Sequence, residues 1–252
     1  MAYGISLTQQ TTSFKCCEIE TGKTWEITQP VLHDVYPTFD SEGMYLYFLS
    51  YREFNPVYDN LHFDLNFLRG MRPCLITLRR DLPSPFVPTP KPLVEPEKKT
   101  ERTKTDNGKS DDHAEGATEP ETDEERIAID LEGIQNRVLA FTVPEGRYGQ
   151  ICGIKGKALF TTFLVKGSLE QSWTDSESKA KDTLEMYDFE TQKKETIVSE
   201  VSNFKVGADY KTLIYKSAKR LRVMKASEKS DKKQAQEGPG RTSGWLDLDR
   251  IK

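Results

Sequence analysis

Along much of this chain apolar residues occupy every second position for a few residues, stop at a turn, and start again. Such a period of two marks strands with one buried face. In "HDVYPTFDSEGMYLYFLS" (33–50), Phe39 stands four positions before Gly43, and Leu46, Tyr47 and Phe48 follow it. "QICGIKGKALFTTF" sets Cys152, Gly156, Leu159 and Phe160 at the same offsets. "NFKVGADYKTLIYKS" does so with Val206, Tyr210, Leu213, Ile214 and Tyr215. Each stretch reads as strand, tight turn, strand, with Gly, Asp or Ser supplying the turn.

Two further elements recur. "CEIETGKTWEIT" (17–28) and "YDFETQKKETIV" (187–198) share an acid, an apolar residue, Glu-Thr and a Lys after one position. Both read as hairpins, with Ile19 and Phe189 facing inward and Glu18 and Asp188 outward. "AIDLEGI" (128–134) and "WLDLDRI" (245–251) share an apolar residue followed by Asp-Leu-acid, and read as outer strands. In chain order these elements make four-stranded antiparallel units laid end to end. The 3–28 stretch supplies the later strands of one unit. A second runs from about Val35 through "PCLITLRR" to "IAIDL", a third from about Gly149 to Ser199, and a fourth from Phe204 through "RLRVMKA" to "WLDLD". Units of roughly 40–50 residues with four strands each predict an all-β fold, a partial β-propeller. An ordinary β-sandwich with unrelated hairpins is the competing architecture.

Residues 83–125 break the alternation. They begin Pro-rich, "PSPFVPTPKP", and end as mixed charge with almost nothing apolar. Such a stretch cannot bury enough surface to offset its ordering entropy, so a disordered insertion within one blade is expected, with nothing to dock it on the blade. The predicted organisation is therefore blades over 1–84 with the first incomplete, an insertion over 85–125, blades over 126–226, a flexible linker over 227–241 and a closing outer strand over 242–252. The lysines of "SEKSDKKQAQEGPGR" have acids among them and no interleaved aromatics, so they read as a solvated linker and not a nucleic-acid patch.

Composition adds limits. The 252 residues are 36% hydrophobic and 30% charged, with a formal net charge of −4, which gives no general attraction for nucleic acid or anionic membrane. No apolar run approaches the roughly 20 residues of a membrane-spanning helix and no charged-then-apolar leader opens the chain, so the expected location is the cytoplasm. Cys16, Cys17, Cys74 and Cys152 form no CxxC pair and have no metal-ligand spacing, so free thiols in a reducing compartment are expected.

Candidate chemistry is sparse. There is no G-x-S-x-G nucleophile elbow and no HExxH zinc motif. His33 and His62 each lie near an acid, Asp34 and Asp64, a possible base and orienter, but no nucleophile accompanies them and a surface or turn role is the better reading. His113 falls in the expected disordered run. Gly22-Lys23-Thr24 resembles the end of a phosphate-binding loop, yet that loop needs a glycine where Cys17 stands and a helix where a strand is expected. The residues assign no catalytic position, no cofactor and no metal.

Longer strings carry a family resemblance. "AYGISLTQQTTSFKCCEIETGKTWEITQPVLHDVYPTFDSEGMYLYFLSYREFNPVYD", "RPCLITLRRDLPSPF", "IDLEGIQNRVLAFTVPEGRYGQI" and "GRTSGWLDLDRIK" closely resemble tricorn protease and its bacterial homologues, over nearly the whole chain outside the charged insertions. The resemblance implies the later blades of a seven-bladed propeller. It further implies a serine peptidase that cuts oligopeptides, assembles as a hexamer, and carries its catalytic residues in segments after the propeller, so none transfers to this sequence. For this portion it implies a scaffold and an axial channel admitting extended peptides. "AYGISL" already reads as a strand directly after Met1 and "WLDLDRIK" stops where a new segment should begin, so a piece of a longer polypeptide is expected. The alternative is a free-standing propeller module binding protein partners or serving as a periplasmic assembly factor; a prolyl-oligopeptidase-like propeller is a weaker third.

Overall fold

The alternating segments become strands because β-branched and aromatic residues on one side of a pleat find apolar partners on the adjacent sheet. The computed structural model describes residues 1–7, 11–53, 57–58, 65–66, 70–87, 127–164, 182–230 and 237–247. The strands are β1 Ala2–Ser6, β2 Thr12–Cys17, β3 Thr24–Glu26, β4 Asp34–Phe39, β5 Tyr45–Ser50, β6 Val57–Tyr58, β7 Leu65–Asn66, β8 Arg72–Thr77, β9 Val138–Ala140, β10 Arg147–Ile154, β11 Lys157–Phe163, β12 Asp182–Asp188, β13 Lys193–Val201, β14 Asn203–Val206, β15 Thr212–Ser217 and β16 Arg220–Lys225. They form four consecutive antiparallel sheets, β1-β2-β3, β4-β5-β8-β9, β10-β11-β12-β13 and β14-β15-β16, with β6-β7 as a small hairpin between β5 and β8. These are blades I to IV.

Three apolar clusters bind the blades face to face. Phe14, Cys16, Leu46, Phe48, Cys74 and Ile76 fill the space between blades I and II. Tyr47, Leu49, Leu75, Phe141, Phe160 and Tyr187 fill that between II and III. Leu159, Leu184, Met186, Phe204, Leu213, Tyr215 and Trp245 fill that between III and IV. Each interior blade is thus buried on both faces, which is how stacked repeats share one continuous core. At the II–III interface Gly153 has a packing role: a Cβ there would lie 2.2 Å from the Tyr47 ring.

Four sequence expectations change at this level. The first concerns the hairpin over Gly156. In blade II residues 40–45 separate the paired Phe39 and Leu46, and in blade IV residues 207–212 separate Val206 and Leu213, whereas in blade III only Lys155 and Gly156 separate Ile154 from Lys157. Leu46 and Leu213 face the preceding blade; Leu159, at the same offset from its turn, faces the following one, and Ala158 and Phe160 take the preceding side. Because side chains alternate, a turn that moves the register by one residue exchanges the two faces of the whole strand.

The second is Ile19, expected inward but 80% exposed. Its counterpart Phe189 packs on Tyr45, Tyr47, Phe86 and Phe141 of blade II. The same hairpin position is buried only where a preceding blade covers it. Third, "AIDLEGI" is not a strand. It runs beside Leu78, whose carbonyl accepts from the Asp130 N–H at 2.9 Å, and ends in a short 3-10 turn, Ile134–Asn136; the outer strand of blade II is β9. Arg137 explains the detour, donating to the carbonyls of Thr77 at 2.9 Å and Leu78 at 3.2 Å and so tying the segment to the end of β8.

Fourth, the start of the insertion is docked. Phe86 lies edge-on to Phe141 at 5.2 Å and to Tyr187 at 6.0 Å, and Gln192 Nε2 donates to the Pro85 carbonyl at 2.6 Å. A Pro-rich run therefore supplies one aromatic plug to the II–III core. The remainder of the expected insertion, 88–125, lies outside the described residues. Near the other end of the chain Trp245 makes an isolated antiparallel bridge to Arg222, and the Leu246 N–H donates to the Leu221 carbonyl at 2.9 Å, placing these residues on the outer edge of blade IV; residues 248–252 of the expected closing strand lie outside the described residues.

Candidate functional site

The first strand of each sheet lies against the first strand of its neighbours: β1 on β4, β4 on β10, β10 on β14. Two hydrogen bonds stitch this inner row. Thr38 Oγ1 donates to the Ile151 carbonyl at 3.1 Å, and the Phe204 N–H donates to Gln150 Oε1 at 3.2 Å. Inner strands ranged side by side, with successive strands stepping outward, define the blades of a β-propeller around an axis, and the inner row is the surface that faces that axis.

The inner strands of the two four-stranded sheets are bulged. In β4 the register shifts between Val35 and Thr38, and in β10 between Tyr148 and Ile151. A bulge adds one unpaired residue and re-aims its side chain. In β4 this residue stretch contains Tyr36, which has a left-handed backbone at φ 60° and is 54% exposed. For a residue with a Cβ such a conformation costs on the order of 1–3 kcal/mol. The β10 bulge, over Gly149 and Gln150, is made with no residue at positive φ, whereas in β4 Tyr36 is followed by Pro37, whose ring restricts the residue before it.

The histidine-acid pair does not form a catalytic unit. Asp34 is buried at the start of β4, and its carboxylate accepts from Ser50 Oγ at 2.6 Å and from Arg52 Nη2 at 2.5 Å. Thr12 Oγ1 of blade I both donates to the Asp34 carbonyl at 2.9 Å and accepts from its N–H at 2.7 Å. The carboxylate is thus engaged within blade II, and the backbone of the same residue ties blade II to blade I, while the His33 ring lies edge-on to Tyr51 at 6.0 Å. This network had a faint sequence signal, an acid opening one strand and Ser-x-Arg closing the next. His62, Asp64 and His113 lie outside the described residues. Gly22, at φ 69°, sits in the β2-β3 turn and donates to the Glu18 carbonyl at 2.8 Å, so Gly22-Lys23-Thr24 is a hairpin turn and not a phosphate loop.

The four cysteines are free. Burial pushes the Cys74 thiol up to about 12 and the Cys152 thiol to about 11, and it raises Cys16 as well. Thiolate, the nucleophilic form, is therefore scarce near neutral pH at these positions. A shallow cleft of about 250 Å³ opens at the start of β10, lined by Pro144, Arg147, Tyr148, Phe163 and Lys194 among others. Its polar groups are engaged: the Tyr148 hydroxyl donates to the Pro144 carbonyl at 2.6 Å, Lys194 pairs with Glu185 at 2.8 Å, and Arg147 lies over the Phe163 ring. No Ser, Cys or His lines it among the described residues. The same residues contain no cluster of His, Cys, Asp and Glu suited to a metal.

Comparison with known proteins agrees with the blade geometry. A family model described as the Tricorn protease second beta propeller domain matches residues 1–227. The chain belongs to that family. A tricorn protease homolog of Saccharolobus solfataricus is 29% identical over the whole chain, which covers 20% of that protein. Tricorn protease homolog 1 of Streptomyces coelicolor is 32% identical over 90% of the chain, again 20% of the relative. The crystal structure of the tricorn protease superposes with a TM-score of 0.65 at 21% identity, covering 89% of this chain and 20% of that one, a likeness of fold. The chain thus spans about a fifth of the length of these relatives.

Proposed function

We propose that this chain is the non-catalytic propeller portion of a tricorn-type serine peptidase that degrades oligopeptides, serving as scaffold and as the channel through which peptides reach the active site. The observation that carries this reading is the family match over residues 1–227. The inner strands support it: they lie side by side from blade to blade, and two of them bulge. In this role its partners are peptide substrates and the remaining segments of a longer polypeptide, which assembles as a hexamer in the cytoplasm. Hydrolysis needs a positioned nucleophile and base, and the one histidine-acid pair with both members described has its acid engaged by Ser50 and Arg52.

Two measurements test the reading. Purified chain should leave short fluorogenic peptides uncut; turnover lost on His33→Ala would overturn the non-catalytic assignment. Labelled extended oligopeptides should bind weakly and compete with one another, while folded proteins should not compete. The reverse pattern, folded partners bound and oligopeptides ignored, favours the other reading, a free-standing interaction module.

A further inference from the structure

We infer that the two outward faces of the four-blade stack fit each other, so that blade I of one copy of this chain docks on blade IV of a second copy through an apolar knob at Ile19 and a socket floored by Ile214. The inference rests on blade stacking alone and is independent of the channel reading. Its template is the way blade III meets blade II. Phe189 stands two residues past the cross-strand pair Tyr187–Lys194, and its ring stacks on Tyr47 at 6.2 Å and packs on Phe141 at 5.5 Å. Ile19 stands two residues past the pair Cys17–Thr24, which closes a hairpin of the same length. Three residues beyond the knob each hairpin turns through a residue at positive φ, Gln192 at 56° and Gly22 at 69°. The two hairpins thus share one backbone design. Ala2 and Cys16 of blade I face blade II, so alternation turns Tyr3, Lys15 and Cys17 the other way, and Ile19 beyond them is 80% exposed.

The socket has a counterpart as well. In blade II Tyr47 follows Leu46, which pairs with Phe39; in blade IV Ile214 follows Leu213, which pairs with Val206. Leu46 and Leu213 both face the preceding blade, so Tyr47 and Ile214 both face the following one. Tyr47 receives Phe189, whereas Ile214 is exposed, with half-buried Val223 opposite it in register. An aliphatic knob on an aliphatic floor replaces phenylalanine on tyrosine. Charge then selects unlike faces. The blade IV face carries exposed Lys205 and Lys216, so two copies of it would set lysine against lysine. The blade I face offers Glu26, whose side chain is 59% exposed, in one row with Tyr3 and Lys15. Docking of this kind is heterologous, and each added copy leaves one knob and one socket open.

The test uses the 252-residue chain in sedimentation velocity, with circular dichroism to report folding. Wild type should form species that grow beyond the dimer as concentration rises. Ile19→Lys keeps only the socket and Ile214→Lys only the knob, so each alone should weaken association at least about tenfold. Their equimolar mixture should form a one-to-one heterodimer and stop there, since both remaining faces are blocked. Ile19→Ser and Ile214→Ser, which remove the apolar atoms without adding charge, form a second pair should either lysine variant fail to fold. A mixture that stays monomeric overturns the inference, because the two faces then do not meet. Either single variant associating as wild type does overturns it too, since the contact then lies between like faces. Wild type that remains a monomer up to about millimolar concentration overturns it outright.

Discussion

At the scale of single residues, buried charge is the most sensitive feature. Asp34 and Arg52 form an ion pair whose side chains are 3% and 16% exposed. Removing one partner leaves the other charge uncompensated, which typically costs about 3–5 kcal/mol, while replacing both by apolar groups costs far less. Arg52→Ala should therefore lower stability by about 3 kcal/mol in denaturant titration, and Asp34→Asn combined with Arg52→Met should recover most of that loss. Asp182 behaves in the opposite sense. Burial raises its carboxyl to about 6, above the ordinary aspartate value of about 3.9 in an unfolded chain. A folded-state pKa that is raised favours the protonated form, so its contribution to stability is full below about pH 4 and is lost as pH rises through about 6. Asp182→Asn should then raise the melting temperature at pH 7.5, a gain of about 1 kcal/mol that disappears near pH 4. Equal effects at both pH values would contradict the assigned cause.

At the scale of elements, the II–III interface shows how a blade recruits material from a loop. Phe86 reaches between β9-side Phe141 and β12-side Tyr187, and Gln192, itself at φ 56°, holds the Pro85 carbonyl. Replacing 88–122 by a short Gly/Ser linker should leave the melt within about 1 kcal/mol of wild type, because loop closure depends only weakly on length. Extending the same replacement back through Phe86 should cost about 2–3 kcal/mol, since it opens a cavity among aromatic rings. A comparison of the two deletions by circular dichroism separates the plug from the loop. If both are neutral, the docked aromatic contributes nothing.

At the scale of the whole molecule, interior blades and outward faces differ in chemistry. The side of blade IV turned away from blade III carries Ile214 at 38% exposure, with Lys205 and Lys216 exposed on the same face. Blade faces of this kind ordinarily lie against a neighbour, and exposed apolar area on a sheet favours association. The isolated chain should accordingly sediment as a concentration-dependent mixture of species. Ile214→Lys should shift it toward monomer without changing the circular-dichroism spectrum. A single sharp monomer boundary at high protein concentration, insensitive to this substitution, would contradict the stacked-blade account.

Local period and turn chemistry were legible from the residues alone, and with them the all-β class, blades laid in chain order, and hairpins over Gly43, Gly22 and Gln192. These follow from alternation and from residues able to turn, which act within a few positions of one another. Which face of each strand is buried emerges only once the blades are stacked, because it depends on the neighbouring blade. Leu46 and Leu159 sit at equal offsets from their turns, yet face opposite blades, since two residues close one hairpin and residues 40–45 the other. Ile19 and Phe189 occupy matching positions, yet only Phe189 has aromatic partners across an interface. The same holds for Phe86, whose Pro-rich surroundings read as loop until the II–III gap receives its ring. Burial is a relation between elements, so a strand's own residues specify that it has two faces but not which neighbour each one meets.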